Sequence, residues 1–190
     1  MAAHRPVHPF RALRHWNYRL YFFGQLISLS GTWMQTIAQN WLVYRLTGSP
    51  VGLGVMNGLS ALPLVPLALF GGSLADRFPR RWLIVATQSL MMLQAFLLAW
   101  LTWSGHIQAW HVWGLAMGLA ALQMLDVPAR QAFVVEMVGP EDLGNAIALN
   151  SSLFNLARIL GPSLAGVVVA TLGEGMAFFL NGLSFLAVIA

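Results

Sequence analysis

Cysteine and lysine are both absent from this 190-residue chain. Without cysteine there can be no disulfide framework, no thiolate nucleophile and no cysteine-bound zinc within it. Without lysine there is no phosphate-binding loop of the ATPase type, and the signatures His-Glu-x-x-His and Gly-x-Ser-x-Gly are also missing. The sequence therefore predicts no catalytic residues, no metal site and no cofactor, and we expect a protein that is not an enzyme.

Charge is also scarce, because only 8% of the residues are charged while 58% are hydrophobic. The mean hydropathy is +0.69, which is too high for a soluble domain. The basic residues are all arginines, and they occur singly or in small groups between long apolar runs. No basic face is available for a nucleic acid, so the lipid bilayer is the expected surrounding.

Apolar windows of roughly 20 residues, long enough to cross ~30 Å of hydrocarbon, occur six times. They are Leu20 to Tyr44, Val51 to Ala75, Trp82 to Trp103, Ala109 to Leu125, Leu143 to Thr171 and Gly175 to Ala190. We therefore predict an all-α integral membrane protein, with a tail over residues 1–19 and a bundle of six transmembrane helices over residues 20–190. The sixth window ends without a flanking charge, which we interpret as a truncated helix.

The distribution of arginine predicts the orientation of the bundle, since cytoplasmic loops are enriched in basic residues. Arg45 alone falls on one side, and the other side holds Arg5, Arg11, Arg14, Arg19, Arg77, Arg80, Arg81 and Arg130. We therefore place the N-terminus in the cytoplasm.

Polar residues recur along the first helix at steps of three and four, which places them on one face. They are Gln25, Ser28, Thr32, Gln35 and Gln39. The fifth helix has a similar face that includes Asn155 and Arg158, and a charge so deep in a spanning helix is expected to face protein or water. We predict that these residues line a shared solute path; hydrogen bonding between helices is the alternative.

The segment Gly72-Ser73-Leu74-Ala75-Asp76-Arg77-Phe78-Pro79-Arg80-Arg81 resembles the loop signature of the major facilitator superfamily, with Pro79 in place of the usual glycine. The pattern predicts a conformational latch on the cytoplasmic side, against the alternative of an ordinary basic loop. The predicted latch residues are Gly72, Asp76, Arg77, Arg80, Arg81, Asp126 and Arg130.

In the fifth helix, the segment from Ala157 to Gly166 resembles the Gly-x-x-x-Gly-Pro-x-x-Gly-Gly signature of facilitator antiporters, with alanine at two glycine positions. Gly161 and Gly166 predict close packing between helices. Pro162 lacks an amide hydrogen, so it predicts a bend.

The segment Asp126-Val127-Pro128-Ala129-Arg130-Gln131-Ala132-Phe133, placed between the fourth and fifth helices, extends the resemblance to the bacterial facilitator branch that includes the enterobactin exporter. The resemblance implies one half of a twelve-helix fold in the bacterial inner membrane, with the C-terminal half absent. It also implies export of small organic solutes, such as siderophores or drugs, coupled to protons. A non-transporting six-helix scaffold and a membrane-embedded enzyme are the alternatives.

Two features of the sequence depart from drug antiporters of this superfamily. No arginine falls within the predicted fourth helix, and no acidic residue falls within the first. Asp126 is expected near the cytoplasmic end and Glu174 near the outer face, so the sequence assigns no proton carrier.

Overall fold

The computed structural model describes residues 10–64 and 79–189, and this part of the chain contains helices and no strand. A 3-10 helix, Arg11–Arg14, precedes α1 (Trp16–Thr47). The remaining helices are α2 (Pro50–Ala61), α3 (Arg80–Trp103), α4 (Ala109–Leu172), α5 (Glu174–Ser184) and α6 (Leu186–Ile189). The prediction of an all-helical chain is confirmed for the described residues.

The helix ends follow local chemistry at the predicted breaks. The N–H of Gly48 donates to the carbonyl of Tyr44 at 2.8 Å and closes α1. Ser49 then caps α2, since its hydroxyl accepts from the N–H of Val51 at 3.2 Å, and Pro50 occupies the first helical position. The turn predicted at Thr47 to Pro50 is therefore present. At its other end, α1 begins at Trp16, four residues before its apolar window.

Helix α4 contains the largest departure from the sequence analysis. It continues through Asp126 and Arg130, so the prediction that residues 126–133 connect two helices is wrong. The break lies instead at Gly139, whose φ of 71° and ψ of 173° are accessible to glycine and to hardly any other residue. Pro140 follows it and begins the next helical segment. The two predicted helices thus extend over residues 109–138 and 140–172.

These two segments of α4 lie side by side and run in opposite directions. Val112 shares a core cluster with Ala165, close to the far ends of the segments. Val134 and Ala146 share another cluster next to the Gly139 break. The chain therefore turns back on itself at Gly139, and α1 packs along the resulting hairpin.

The outward faces of the helices are apolar, and this is the reverse of a soluble protein. Helix α1 exposes Leu20, Phe23, Ile27 and Trp41 by more than half of their surface each. The same helix buries Gln25, Ser28, Gln35 and Gln39. An apolar exterior around buried polar groups is the arrangement that suits a lipid surrounding.

Among the described helices, α3 and α4 are long and apolar enough to cross a membrane. Each segment of α4 exceeds the roughly 20 residues that a single crossing needs. Helix α1 is long but its buried face is polar, and the apolar helices after Gly173 are short. The count of six spans stays a prediction.

Candidate functional site

An open cavity of about 650 Å³ lies between α1 and both segments of α4. Its lining residues come from α1, from the first segment of α4 and from the second segment: Tyr21, Leu29, Thr32, Trp33, Thr36, Gln123, Val127, Arg130, Gln131, Asn150, Ser151, Phe154 and Asn155. The volume falls within the range of sites that hold small organic molecules.

The cavity wall combines an aromatic pair with polar side chains. The rings of Trp33 and Phe154 meet edge to face, with centroids 5.9 Å apart. The hydroxyl of Thr36 donates to the carbonyl of Thr32, and the Asn155 amide donates to the carbonyl of Ser151, both along their own helices. Their oxygen atoms remain able to accept hydrogen bonds, so the wall suits a solute with both polar and apolar parts.

At one end of the cavity lies a buried ionic network. The carboxylate of Asp126 is fully buried, and its Oδ2 lies 2.6 Å from Nε of Arg130, which has a side chain only 12% exposed. Thr87 donates to Asp126 at 2.7 Å and Gln88 donates at 3.1 Å, both from α3. Arg130 also donates to the side-chain oxygen of Gln25 on α1. The network therefore joins α1, α3 and α4 at the cavity floor.

Arg130 lies within the fourth helix, contrary to the prediction from the sequence. The statement that this helix lacks an arginine is wrong, because Arg130 lies inside the 109–138 segment and lines the cavity. The error followed from ending the helix at Leu125.

The structure separates the residues predicted to line a path. Thr32 and Asn155 line the cavity. Gln25, Ser28, Gln35 and Gln39 are buried among the helices, with at most 3% of their surface exposed.

Gln35 belongs to a hydrogen-bonded network between helices. It donates to Gln94 at 3.0 Å and accepts from Asn181 at 2.7 Å. Gln94 in turn donates to the carbonyl of Leu115 at 3.2 Å. In this conformation the network of Gln35 therefore connects α1, α3, α4 and α5. This is hydrogen bonding between helices, the alternative to a role in the solute path.

Arg158 is not one of the lining residues, but it lies beside the cavity wall next to Trp33. Its Cζ is 5.9 Å from the centroid of the Trp33 ring, and its side chain is exposed. A rotation of about 100° per residue places it roughly 40° around the helix from Phe154, on the cavity side. None of the described carboxylates forms an ion pair with it.

Part of the predicted latch falls outside the described residues, namely Gly72, Asp76 and Arg77. Within the described part, Arg80 forms an ion pair with Glu136 at 2.6 Å, which connects the start of α3 to the end of the first α4 segment. Arg81 is exposed, and Asp126 and Arg130 form the buried network. The role of these residues as a latch stays a prediction.

A second ionic cluster, not anticipated from the sequence, surrounds Asp142 beside the Gly139 break. The carboxylate, 2% exposed, lies 2.7 Å from Nε of Arg11, 3.1 Å from Nη2 of Arg14 and 2.8 Å from Nε2 of His15. The N–H of Ala12 donates to Asn145 at 2.8 Å. We call this group the N-terminal clasp, since it fixes the segment before α1 onto the second segment of α4.

The glycines of the antiporter-like motif differ in their surroundings. A Cβ at Gly161 would overlap the Cβ of Trp33 and lie 2.8 Å from the carbonyl oxygen of Ser30, whereas a Cβ at Gly166 would meet no neighbour. Pro162 lies within the continuous 140–172 segment and has helical dihedrals. Close packing at Gly161 is therefore present, and the bend at Pro162 stays a prediction.

Several cavity residues were missed by the sequence analysis. Thr36 follows Thr32 by one helical turn, and Ser151 precedes Asn155 by one turn, so the spacing was available as a signal. Gln123 and Gln131 also recur near Arg130, but they form one face only when the fourth helix is extended to Val138.

Comparison with known proteins identifies the family. Residues 7–190 match the family of transmembrane secretion effectors within the major facilitator superfamily. The chain belongs to this family. Its members are transporters, which confirms the predicted superfamily and the prediction that the chain is not an enzyme.

Individual relatives are similar at low identity. The chain is 26% identical to the staphyloferrin A transporter of Staphylococcus aureus over 80% of its length and 38% of that protein. It is 25% identical to the uncharacterized transporter YfiS of Bacillus subtilis over 85% of its length and 38% of that protein. It is 28% identical to the multidrug efflux pump Tap of Mycolicibacterium fortuitum over 81% of its length and 39% of that protein.

The chain therefore spans about two fifths of the length of the curated relatives it matches. No solved structure matches it. The chain belongs to a transporter family and has an apolar exterior, so it is embedded in a membrane.

Proposed function

We propose that the protein is a secondary transporter that exports a small organic solute, such as a siderophore or a drug, in exchange for protons. The observation that carries the proposal is the polar and aromatic cavity of about 650 Å³ inside a helical bundle whose exterior is apolar. Membership of a transporter family supports it, as do relatives named for staphyloferrin A transport and for multidrug efflux.

In this proposal, the cavity between α1 and α4 forms one wall of the solute path. A transporter of this type alternates between inward-open and outward-open states as two bundles rock about a central site. In this proposal the opposite wall comes from a further bundle, which corresponds to the part of the relatives that this chain does not span. Thr32, Asn155 and Arg158 are the predicted path residues whose positions support this role.

The latch is proposed to act on the cytoplasmic side during this alternation. Arg80 and Glu136 tie α3 to α4 by an exposed ion pair, and such pairs contribute little to stability, so they can break and form again. The buried pair of Asp126 and Arg130 is harder to separate, because either charge alone in the interior is unfavourable. We assign the reversible contact to the pair of Arg80 and Glu136. The pair of Asp126 and Arg130 is assigned as the contact that stays closed.

We place the protein in the bacterial inner membrane with its N-terminus in the cytoplasm. The N-terminal clasp, Arg80 and the Gly139 break lie toward one end of the bundle, where basic residues are concentrated. A membrane-impermeant thiol reagent tests this orientation in intact cells. It should label a Ser104→Cys variant, in the loop after α3, and should not label Pro140→Cys; the reverse pattern would contradict the assignment.

Efflux from cells that express the protein from its complete gene tests the function itself. Cells are loaded with a panel of fluorescent dyes and siderophores, and efflux is followed with and without a protonophore. We expect efflux that the protonophore abolishes. An Asn155→Trp variant should block it by filling the cavity, whereas Leu156→Trp, on the other side of the helix, should not. Efflux that survives the protonophore would contradict proton coupling, and efflux that survives Asn155→Trp would contradict the path.

A further inference from the structure

We propose that this cavity selects organic anions over cations, and that its preferred solute carries a carboxylate-like group on an aromatic or planar body. The inference rests on the proposed function, because it treats the cavity as the solute path. It adds the charge of the solute, which neither the family nor the names of the relatives determine for this chain.

The first observation is the charge of the cavity lining. Arg130 is the one ionised side chain among the described lining residues, and the other polar members are amides and hydroxyls. No aspartate or glutamate of the described residues faces the cavity. The charge of Arg130 is balanced by Asp126 behind the cavity wall, but the guanidinium reaches the cavity and the carboxylate does not. An anionic group in the cavity can therefore approach a charged partner, and a cationic group cannot.

The second observation is that Arg130 keeps donors for a further partner. Its contacts with Asp126 and Gln25 occupy part of a guanidinium group that has five N–H donors. Asp126 lies behind Arg130, fully buried and fixed by Thr87 and Gln88, so a cationic solute in the cavity cannot reach its carboxylate. A solute carboxylate, in contrast, can bind Arg130 from the cavity side in the forked geometry that guanidinium groups favour.

The third observation is a second cation with an aromatic wall between the two. Arg158 lies on the cavity side of α4 without a carboxylate partner among the described residues, and its guanidinium lies near the Trp33 ring. Arg130 precedes the Gly139 break by nine residues, and Arg158 follows it by nineteen. Because the two segments run antiparallel from this break, the difference between these counts separates the two arginines by about 15 Å along the hairpin axis. The ring pair of Trp33 and Phe154 lies on this stretch and provides a surface for a planar solute.

Two dyes with the same ring skeleton and opposite charge test the inference. Carboxyfluorescein is an anion at pH 7.5 and rhodamine 123 is a cation, and each is titrated with the protein from its complete gene in lipid nanodiscs. Fluorescence anisotropy gives the dissociation constants. We expect the anion to bind at least about tenfold more tightly than the cation, which corresponds to one charge-assisted hydrogen-bonding site.

Variants locate the effect within the cavity. Loss of Arg130 alone would leave Asp126 charged and buried, so the informative variant is the double substitution Asp126→Asn with Arg130→Gln. This variant and Arg158→Gln should each weaken anion binding about tenfold, and neither should weaken cation binding. Arg45→Gln, which removes an arginine paired with Glu174 away from the cavity, is the control and should change neither constant. Arg130→Lys keeps the charge but lacks the forked donors, so it should retain only part of the preference.

Equal or tighter binding of rhodamine 123 would overturn the inference, and so would anion binding that neither cavity variant weakens. The efflux assay separates this outcome from failure of the proposed function. Protonophore-sensitive efflux of the cation without a preference for the anion would refute anion selectivity and leave the exporter in place. Tight anion binding that responds to both variants, without any efflux, would support the anion site and refute the exporter.

Discussion

The ion pair of Asp126 and Arg130 gives the strongest prediction about stability. In an Arg130→Gln variant, Asp126 loses its cation while it stays fully buried. The hydrogen bonds from Thr87 and Gln88 remain, but they do not replace an opposite charge. Breaking a buried pair from one side costs about 3–5 kcal/mol of unfolding free energy, so we expect a loss of that size.

The opposite substitution should be milder. In Asp126→Asn, Arg130 keeps its charge, but its side chain reaches the cavity, where water can solvate it. We expect a loss of about 1–3 kcal/mol, which is the range for an unpaired buried polar partner. In the double variant both charges are gone, and it should be more stable than Arg130→Gln alone. The coupling free energy between the two sites should reach at least about 2 kcal/mol.

Unfolding in detergent, followed by the fluorescence of the eight tryptophans of the chain, measures these differences. For a chain of this size, 1 kcal/mol shifts the melting temperature by about 2–4 °C, so Arg130→Gln should melt roughly 6–20 °C lower. Arg80→Gln is the matched control, because the side chains of Arg80 and its partner Glu136 are 44% and 52% exposed, so neither charge is left buried. The reasoning is refuted if Arg130→Gln costs no more than this control, or if the double variant loses the full sum of the two single losses.

Three further substitutions test other parts of the structure by the same unfolding assay or by proteolysis. Gly161→Ala should cost about 1–3 kcal/mol because the new Cβ overlaps α1, whereas Gly166→Ala should be neutral or stabilising; equal effects would contradict the packing. Asp142→Asn should loosen the N-terminal clasp and speed tryptic cleavage before α1, while the exposed Glu141→Gln should not; equal cleavage rates would refute the clasp. Gln35→Leu should cost about 1–3 kcal/mol because it leaves buried amides unpaired, and a stabilised variant would contradict that network.

Local signals of the sequence were sufficient to predict the break between α1 and α2. Gly48, Ser49 and Pro50 combine a helix stop, a cap and a first-turn proline, and each acts through its own backbone neighbours. Such signals need no knowledge of the rest of the fold, so they can be recognised from the sequence alone.

The end of the fourth helix could not be predicted in this way. Asp126 and Arg130 suggest a loop because isolated charges are unfavourable inside a membrane. In the structure they neutralise each other one helical turn apart, and partners from α3 and α1 complete the network. The stabilising contacts come from other helices, and the spacing of residues within one helix does not reveal them.

The polar face of α1 illustrates the same limit. Its periodicity correctly indicates one face, but it does not indicate whether that face meets water or other helices. Thr32 lines the cavity, whereas Gln35 meets Gln94 and Asn181 from distant parts of the chain. Only the packing of the bundle separates these two environments.

The central claim is that solute moves through the cavity between α1 and α4, and site-directed thiol modification tests it most directly. The chain contains no cysteine, so a cysteine introduced at Asn155 or at Leu156 adds the only thiol of this region, and the unsubstituted protein shows any background reaction. We predict that a charged thiol reagent inhibits efflux by Asn155→Cys, that a transported solute slows this inhibition, and that Leu156→Cys is unaffected. Inhibition of both variants alike, or inhibition of Asn155→Cys that no transported solute slows, would contradict the assignment of this cavity as the solute path.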